Sequence, residues 1–366
     1  MSSTLQTTDD YQRLFLEDIP LIDLRAPVEF AQGGFPHAGN LPLMGDDERA
    51  EVGTCYKRQG QDAAIVLGHQ LVSGDLKAQR MQSWWDFIRE HPNGALYCFR
   101  GGLRSRTTQQ WIFDEYGIDY PRVTGGYKAL RRFLLESIER LSASLNIVIL
   151  AGRSGTGKTR LLTQLDNSID LEGLANHRGS AFGNTTTPQP TQIDFENALA
   201  VALLKAEAAA YPQVVLEDES RNIGSLHLPV CLHEAMSAAP MVVLDVDDAE
   251  RIAITVQEYA EDMHREWLQQ LAPDAAFAAL EQHLLTSLSK VKRRLGGVRY
   301  AESLEVKQSA LQTLKATGSC QGFEAIFGEL LLNYYDPMYD YQMQQKRERI
   351  AFSGTREQVT EYLKRA

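Results

Sequence analysis

The sequence contains only four cysteines among its 366 residues, and they stand far apart. No two of them form a C-x-x-C pair, which argues against a zinc ribbon, and their separation argues against a disulfide framework. In a reducing compartment, each cysteine stays free to act as a nucleophile. The four are Cys55, Cys98, Cys231 and Cys320.

Long apolar runs and a surplus of basic charge are also missing. No run approaches the roughly 20 apolar residues of a transmembrane helix. The opening MSSTLQTTDDYQRLF lacks the basic start and apolar core of a secretory signal. We therefore expect a cytoplasmic protein with no membrane partner. The formal net charge of −11 argues against coating of nucleic acid through bulk charge, but it leaves room for a local basic groove.

Short apolar segments alternate with helical patterns over the first third of the chain, which predicts a parallel sheet. A second unit begins with the buried strand LNIVILAG, and from about residue 250 the pattern is mostly helical. We predict an α/β protein with a parallel-sheet domain over residues 1–140. A P-loop α/β domain with a helical C-terminal part is predicted over residues 141–366. Further strands are expected at IPLIDLR, AGNLPLM, GALYCF, QVVLED and MVVLDV.

The segment GRSGTGKT, residues 152–159, fits the P-loop pattern G-x-x-x-x-G-K-[ST] in full. An apolar strand leads in and a helix leads out, so backbone N–H groups and the helix N-terminus would converge on a phosphate. Lys158 would supply a point charge and Thr159 could hold Mg²⁺. A glycine-rich turn with a chance lysine is the alternative. The predicted phosphate-binding residues are Gly152, Ser154, Gly155, Thr156, Gly157, Lys158 and Thr159.

An acid at the end of a neighbouring strand usually accompanies a P-loop. VVLEDESR provides Glu217, Asp218 and Glu219, of which we choose Asp218 as a metal and substrate ligand together with Thr159. Capping of the next turn is the alternative role for these acids. The sequence lacks a base-reading motif of the N/T-K-x-D type, so any diphosphate or triphosphate would fit the pattern.

A second glycine-rich loop, YCFRGGLRS, carries Cys98 near the carboxyl end of a predicted strand. Arg100, Arg104 and the glycines would favour a thiolate and stabilise a persulfide, or its selenium analogue, and an incoming anion. The C-x5-R spacing also matches phosphatases, although Tyr97 stands where those loops commonly have histidine. An ordinary buried cysteine is the remaining alternative. The nucleophile interpretation requires Cys98 to be reachable from solvent.

Several stretches resemble known proteins. IPLIDLRAPVEFAQGGFPHAGNLPL resembles the opening of rhodanese domains, CFRGGLRS their active-site loop, and VTGGYKAL their closing strand and turn. A rhodanese domain followed by a P-loop domain is similar to the tRNA 2-selenouridine synthase family. LANHRGSAFG, EDESRNIG, RRLGG and NYYDPMYDYQ resemble further stretches of that family, so the resemblance covers nearly the whole chain.

The resemblance implies a transferase that replaces sulfur by selenium in wobble 2-thiouridine of tRNA. The co-substrates would be selenophosphate and geranyl diphosphate, with S-geranyl-2-thiouridine as the intermediate and Mg²⁺ as a possible cofactor. Cys98 would carry selenium while Arg100 and Arg104 hold the departing phosphate. The partners would be the anticodon region of tRNA and an enzyme that supplies selenophosphate.

Further substrate contacts are predicted outside the two loops. Gly68 would let backbone approach the substrate, or is an ordinary helix or turn glycine. His177 and Arg178 would contact diphosphate or tRNA phosphate, and Arg221 is a similar candidate. The basic segment KVKRRLGGVRY, with Arg293 and Arg294, would contact tRNA, although a solvated helix face is the simpler interpretation. Four tyrosines could stack on an unpaired base or pack between helices: Tyr334, Tyr335, Tyr339 and Tyr341.

Two other functions remain open at this point. A P-loop kinase or ATPase with a regulatory rhodanese module would hydrolyse nucleotide without tRNA. A redox or chalcogen-binding adaptor would need only the thiol and would tolerate loss of Lys158.

Overall fold

The computed structural model describes residues 5–365, which divide into two compact units. The first comprises residues 5–141 and 191–209, and the second comprises residues 142–190 and 210–365. The segment 191–209 lies within the predicted second domain but folds with the first unit. Asp194 accepts the N–H of Gly34 at 2.7 Å and Lys205 pairs with Asp18 at 2.6 Å. The sequence analysis missed this placement of residues 191–209, because contacts between distant segments leave no local pattern.

The strands and helices are numbered in chain order. The strands are β1 (Thr7–Thr8), β2 (Leu21–Asp23), β3 (Ala38–Asn40), β4 (Ala95–Tyr97), β5 (Arg122–Val123), β6 (Ile147–Ala151), β7 (Ser168–Ile169), β8 (Val214–Glu217), β9 (Asn222–Ile223), β10 (Leu226–His227), β11 (Met241–Leu244) and β12 (Ile350–Gly354). The helices are α1 (Tyr11–Leu16), α2 (Pro27–Phe30), α3 (Asp46–Gln59), α4 (Gln61–Leu71), α5 (Gly74–Glu90), α6 (Leu103–Tyr116), α7 (Gly126–Ser144), α8 (Lys158–Leu162), α9 (Leu171–Ala175), α10 (Gln192–Ala208), α11 (Val230–Ala238), α12 (Asp248–Val256), α13 (Asp262–Gln270), α14 (Pro273–Leu295), α15 (Gly297–Thr317), α16 (Glu324–Leu330), α17 (Asp336–Lys346) and α18 (Arg356–Arg365). Two π-helical segments cover Gln257–Glu261 and Leu331–Tyr335.

The sheet of the first unit has five parallel strands in the order β1-β5-β4-β2-β3. A buried ion pair follows β2: Arg25 donates to both Asp23 oxygens, and Tyr97 at the end of β4 donates to Asp23 at 2.7 Å. Charges without solvent are tolerated only when they are paired and hydrogen-bonded. This network therefore fixes β2 against β4 immediately before Cys98.

The sheet of the second unit also has five parallel strands, in the order β12-β11-β6-β8-β7. Strand β6 is buried at all five residues, as its apolar sequence predicts. Strand β12 was missed because it is an edge strand inside a region of helical pattern. The predicted α/β architecture with parallel sheets is confirmed.

The helical part of the second unit is organised by apolar stripes. On α14 the buried residues recur at intervals of three or four positions, which places them on one helical face. They pack against Ala310, Leu311 and Leu314 of α15 and against Phe323 and Phe327. None of the helices described is long and apolar enough to cross a membrane.

Candidate active site

The two loops that the sequence analysis selected occupy equivalent places in their sheets. The loop from Cys98 to Arg104 follows β4, and the P-loop from Gly152 to Thr159 follows β6. Each of these strands is the middle one of its five-stranded sheet. Ligands of open α/β sheets bind at the carboxyl ends of such strands, so each loop stands where a ligand is expected.

The P-loop has the backbone that its glycines predict. Gly155 has φ +79°, and a Cβ there would lie 2.5 Å from Thr255 Oγ1 and 2.8 Å from the carbonyl oxygen of Arg251. Only glycine fits this close approach without displacing α12. Lys158 Nζ donates to the carbonyl oxygen of Gly152 at 3.0 Å, which holds the ammonium group over the loop.

Two arginines from outside the motif anchor this loop. Arg251, which is 1% exposed, donates to the carbonyl oxygen of Ser154 at 3.1 Å and forms two hydrogen bonds with Asp336. Arg356 donates to the carbonyl oxygen of Thr156 at 3.0 Å. The loop is therefore rigidly held by α12, α17 and α18 before any ligand binds.

A cavity of about 1000 Å³ opens beside the P-loop. The polar residues of its lining include Lys158, Thr159, Asp218 and Arg178. Apolar and aromatic residues also line it, among them Phe182, Phe327, Leu330, Leu331, Tyr335 and Met338. Both π-helical segments contribute to the lining, and such segments often occur at functional sites.

A pair of carboxyl groups, Glu172 and Glu219, lines the cavity beside the P-loop. The two are hydrogen-bonded to each other. Burial, together with the negative charge of Glu219, raises the pKa of Glu172 to about 8, although the charge of Lys158 acts in the opposite direction. Burial also raises the pKa of Glu219. At neutral pH the pair therefore shares a proton, which reduces negative charge beside the phosphate cradle. Sequence reasoning missed Glu172 because it comes from α9, far from the motif.

Asp218, the predicted metal ligand, is engaged by another side chain. Lys346 Nζ contacts its two carboxylate oxygens at 2.7 and 2.8 Å. Across residues 5–365, no group of three or more His, Cys, Asp or Glu side chains is arranged to hold a metal ion. Asp218 and Thr159 do line the cavity, and a Mg²⁺ ion that keeps several waters and binds substrate phosphates needs only one or two protein oxygens. A metal role for them stays a prediction.

The Cys98 loop is packed tightly against the turn before α7. Gly101 has φ +62°, and a Cβ there would lie 2.7 Å from the nitrogen of Gly125 and 2.8 Å from the carbonyl oxygen of Val123. The N–H of Tyr127 donates to the carbonyl oxygen of Cys98 at 2.9 Å. The two segments that resemble the active-site loop and the closing turn of rhodanese domains are thus in direct contact.

The Cys98 side chain is less accessible than a nucleophile requires. The residue is 3% exposed and packs in an apolar cluster with Ile22, Leu24 and Leu96. Its Sγ lies within hydrogen-bonding distance of Ser105 Oγ, at 3.3 Å. The catalytic role of Cys98 stays a prediction, and this low exposure is the observation that counts most against it.

The arginines of the Cys98 loop differ in their surroundings. Arg100 is exposed. Arg104 donates to Glu29 at 2.7 Å. Burial alone would raise the pKa of Glu29, but Arg104, the N–H of Ala26 and Arg49 together hold it below its ordinary value. Most of the charge of Arg104 is therefore already neutralised, which weakens its predicted role as a phosphate ligand.

Comparison with known proteins identifies the family. A family profile described as the tRNA 2-selenouridine synthase AAA domain matches residues 145–366. The chain is 54% identical to the tRNA 2-selenouridine synthase of Marinobacter nauticus, over 97% of this chain and 96% of the relative. It is 52% identical to that of Azotobacter vinelandii, over 98% and 96%, and 49% identical to that of Pseudomonas syringae pv. syringae, over 98% and 97%.

The chain belongs to the tRNA 2-selenouridine synthase family. The predicted family membership is thus confirmed, and the chain is an enzyme of tRNA modification. A solved structure of the N-terminal domain of an ATP/GTP-binding protein from Clostridium difficile 630 is 30% identical over 36% of this chain and 99% of its own. Its TM-score of 0.31 is too low to support any argument.

The remaining predicted substrate-binding residues differ in whether they line the P-loop cavity or lie at the surface. His177 and Arg178 both line the P-loop cavity. His177 is 5% exposed, and burial, followed by the charge of Lys290, lowers its pKa. A neutral imidazole is a poor phosphate ligand, so the predicted phosphate contact falls to Arg178. Arg221 is exposed immediately before β9 and does not line this cavity.

The basic residues Arg293 and Arg294 are exposed in the last turn of α14. Cations are favoured at this end of a helix, so their position by itself does not require RNA. Among the tyrosines, Tyr335 and Tyr339 line the cavity, and burial raises their pKa values. Tyr341 is 67% exposed and can still stack on a base.

One cation beside Cys98 was missed. Arg122, at the start of β5, donates to the carbonyl oxygen of Gly101 at 2.6 Å, and its Nε is buried with no partner among the described residues. Burial and the charge of Arg106 lower its pKa, whereas Cys98 acts in the opposite direction. A lone arginine 24 positions beyond the cysteine carries no motif, and only the pairing of β4 with β5 brings the two together.

Proposed function

We propose that this chain replaces sulfur by selenium in the wobble 2-thiouridine of tRNA, through an S-geranyl-2-thiouridine intermediate. The co-substrates are selenophosphate and geranyl diphosphate. Family membership supports the tRNA modification, and a cytoplasmic location is consistent with tRNA as the substrate. An enzyme that makes selenophosphate would be the functional partner.

The P-loop cavity is the observation that carries the proposal. Its lining combines the P-loop with apolar side chains that include Phe182, Phe327 and Met338. A prenyl diphosphate has the same two-part character, a dianionic or trianionic head and a hydrocarbon tail. The volume of about 1000 Å³ also leaves room for the base that is to be alkylated.

The residues of the P-loop would act on the leaving group. The sulfur of 2-thiouridine forms a bond to C1 of the geranyl group while the bond from C1 to the diphosphate oxygen breaks, and the base releases its N3 proton. Lys158 and the loop N–H groups stabilise the charge that develops on diphosphate. Arg178 supplies a second cation in the lining of the same cavity. No step is assigned to Mg²⁺, because Lys346 already pairs with the predicted ligand Asp218.

The selenium step would use the Cys98 loop. Cys98 would attack the phosphorus of selenophosphate, so that an S–P bond forms while the P–Se bond breaks and selenide is released; water would then cleave the S–P bond to give phosphate and the free thiol. The selenide would attack C2 of the alkylated base, and geranyl thiolate would leave. The predicted perselenide is not part of this route, because its formation with loss of phosphate requires a two-electron oxidant. Arg100 and Arg122 are better placed than Arg104 to hold that phosphate, because Glu29 already pairs with Arg104. The burial of Cys98 means that its surroundings must open before the donor can reach the sulfur.

Mass spectrometry of tRNA nucleosides tests the proposal directly. Cells grown with selenium should contain 2-selenouridine when this chain is expressed and lack it when the gene is deleted. S-geranyl-2-thiouridine should depend on the chain in the same way. Unchanged nucleosides in the deletion strain, or brisk ATP turnover by the purified protein without tRNA, would instead favour a P-loop kinase or ATPase.

A further inference from the structure

The first unit contains an apolar cavity of its own. Its volume is about 380 Å³, within the range of roughly 300–1,000 Å³ that is typical of small-molecule pockets. Helices α3, α4 and the first turns of α6 surround it. The apolar lining consists of Leu43, Met44, Val52, Ala64, Ile65, Val72, Leu103 and Trp111.

Gly68, inside α4, keeps this cavity open. Glycine in the interior of a helix lowers its stability relative to alanine. A Cβ at Gly68 would meet Val52 Cγ2 at 3.8 Å, which is an ordinary van der Waals contact. The packing of the chain therefore does not require glycine at this position. Gly68 also lines the cavity, so that a larger side chain there would occupy the space a ligand could use.

The cavity adjoins the Cys98 loop. Leu103 and Arg104 form part of its wall and belong to the first turn of α6. Ser105 in the same turn contacts Cys98 Sγ at 3.3 Å. Leu43, Met44 and Val72 from the cavity wall pack in the same apolar cluster as Cys98. A molecule with its hydrocarbon part in the cavity would therefore hold its polar part beside the Cys98 loop.

We propose that this cavity binds the hydrocarbon chain of S-geranyl-2-thiouridine and thereby presents the modified base to the Cys98 loop. The inference rests on the proposed function, which makes that nucleoside the substrate of the selenium step. Geranylation adds a flexible ten-carbon chain to a polar base. Removal of such a chain from water stabilises binding in proportion to the apolar area that is buried. The cavity would distinguish the alkylated base from unmodified 2-thiouridine.

The test uses the full-length protein labelled with 5-fluorotryptophan and the nucleoside S-geranyl-2-thiouridine as the probe. Trp111 lines the cavity and is one of four tryptophans, so its fluorine resonance, assigned with Trp111→Phe, reports on this site. We expect a saturable shift of that resonance. Gly68→Leu should weaken binding by about tenfold or more, because its side chain fills the cavity. Gly53→Leu is the matched control: Gly53 lies inside α3, is exposed, and has no described heavy atom within 4 Å of an added Cβ.

Several results would overturn the inference. They are an equal shift with 2-thiouridine, unchanged affinity in Gly68→Leu, or a response confined to Trp267 of the second unit. Gly68→Leu should unfold at the same temperature as the wild type or at a higher one, since leucine favours helix over glycine. The binding measurement involves neither the P-loop nor catalysis, so it can fail while the tRNA experiment succeeds, and the reverse also holds.

Discussion

The Cys98 loop and the P-loop stand at the same place in two similar sheets, yet their surroundings differ. Each follows the middle strand of five parallel strands and leads into a helix. The P-loop opens into a cavity of about 1000 Å³ that exposes Lys158, whereas Cys98 is 3% exposed beneath a closely packed turn. The difference teaches that a strand–loop–helix unit provides only the position of an anion site. Neighbouring elements decide the size of the ligand and its access.

The largest expected effect is the loss of both products when the P-loop lysine is removed. Lys158→Ala should lower the rate of S-geranyl-2-thiouridine formation by about 10²- to 10³-fold, because it removes a preorganised charge from the departing diphosphate. 2-Selenouridine should fall with it, since the selenium step consumes the geranylated base. The measurement is nucleoside mass spectrometry on tRNA treated with purified enzyme. Lys57→Ala, at an exposed position on α3, is the control. An undiminished rate in Lys158→Ala would remove the P-loop from the proposal.

Removal of the thiol from the Cys98 loop should affect one product only. Cys98→Ser should abolish 2-selenouridine while S-geranyl-2-thiouridine persists, because a serine hydroxyl is a far weaker nucleophile toward selenophosphate than a cysteine thiolate. The same nucleoside analysis gives both quantities. Cys231→Ser, in α11, serves as the matched thiol control. If a folded Cys98→Ser enzyme lost both products equally, the assignment of separate steps to the two loops would be wrong.

The sequence predicted the two loops and their leading strands, but not the partners of the charged groups around them. The P-loop, its leading strand and the strand before Cys98 are specified by local pattern, and the structure has β6 and β4 where that pattern places them. The partners of the charged groups come from distant segments. Lys346 reaches Asp218 across 128 positions. Glu172 meets Glu219 only because α9 and the end of β8 fold side by side. Side-chain partners of this kind have no periodicity or spacing by which a sequence could reveal them.

A smaller effect should distinguish the two arginines near Cys98, Arg104 and Arg122. Arg122→Gln should lower the ratio of Cys98 alkylation by the anion iodoacetate to that by neutral iodoacetamide, by about two- to fivefold. Arg104→Gln should change this ratio less, because Glu29 already neutralises Arg104. Peptide mass spectrometry measures the labelling, and the ratio cancels differences in access. Equal effects of both variants would contradict the assignment of Arg122, and a Cys98 that no reagent labels in the folded enzyme would contradict its role as a nucleophile.

The smallest expected effect concerns the acids beside the P-loop. Glu172 is protonated below its pKa of about 8 and becomes charged above it, so affinity for an anion should fall as the pH rises through 8. Inorganic pyrophosphate is a suitable probe, and calorimetric titration at pH 7 and pH 9 gives the two dissociation constants. Glu172→Gln removes the titrating group. The loss of affinity between the two pH values should therefore be about three- to tenfold greater in the wild type than in this variant. Comparing the two proteins cancels the ionisation of pyrophosphate itself.

Glu302→Gln, which changes an exposed acid on α15, is the control and should behave as the wild type does. If Glu172→Gln showed the same pH dependence as the wild type, the shared proton would have no influence on the phosphate cradle, and its electrostatics would rest on Lys158 and Arg178 alone.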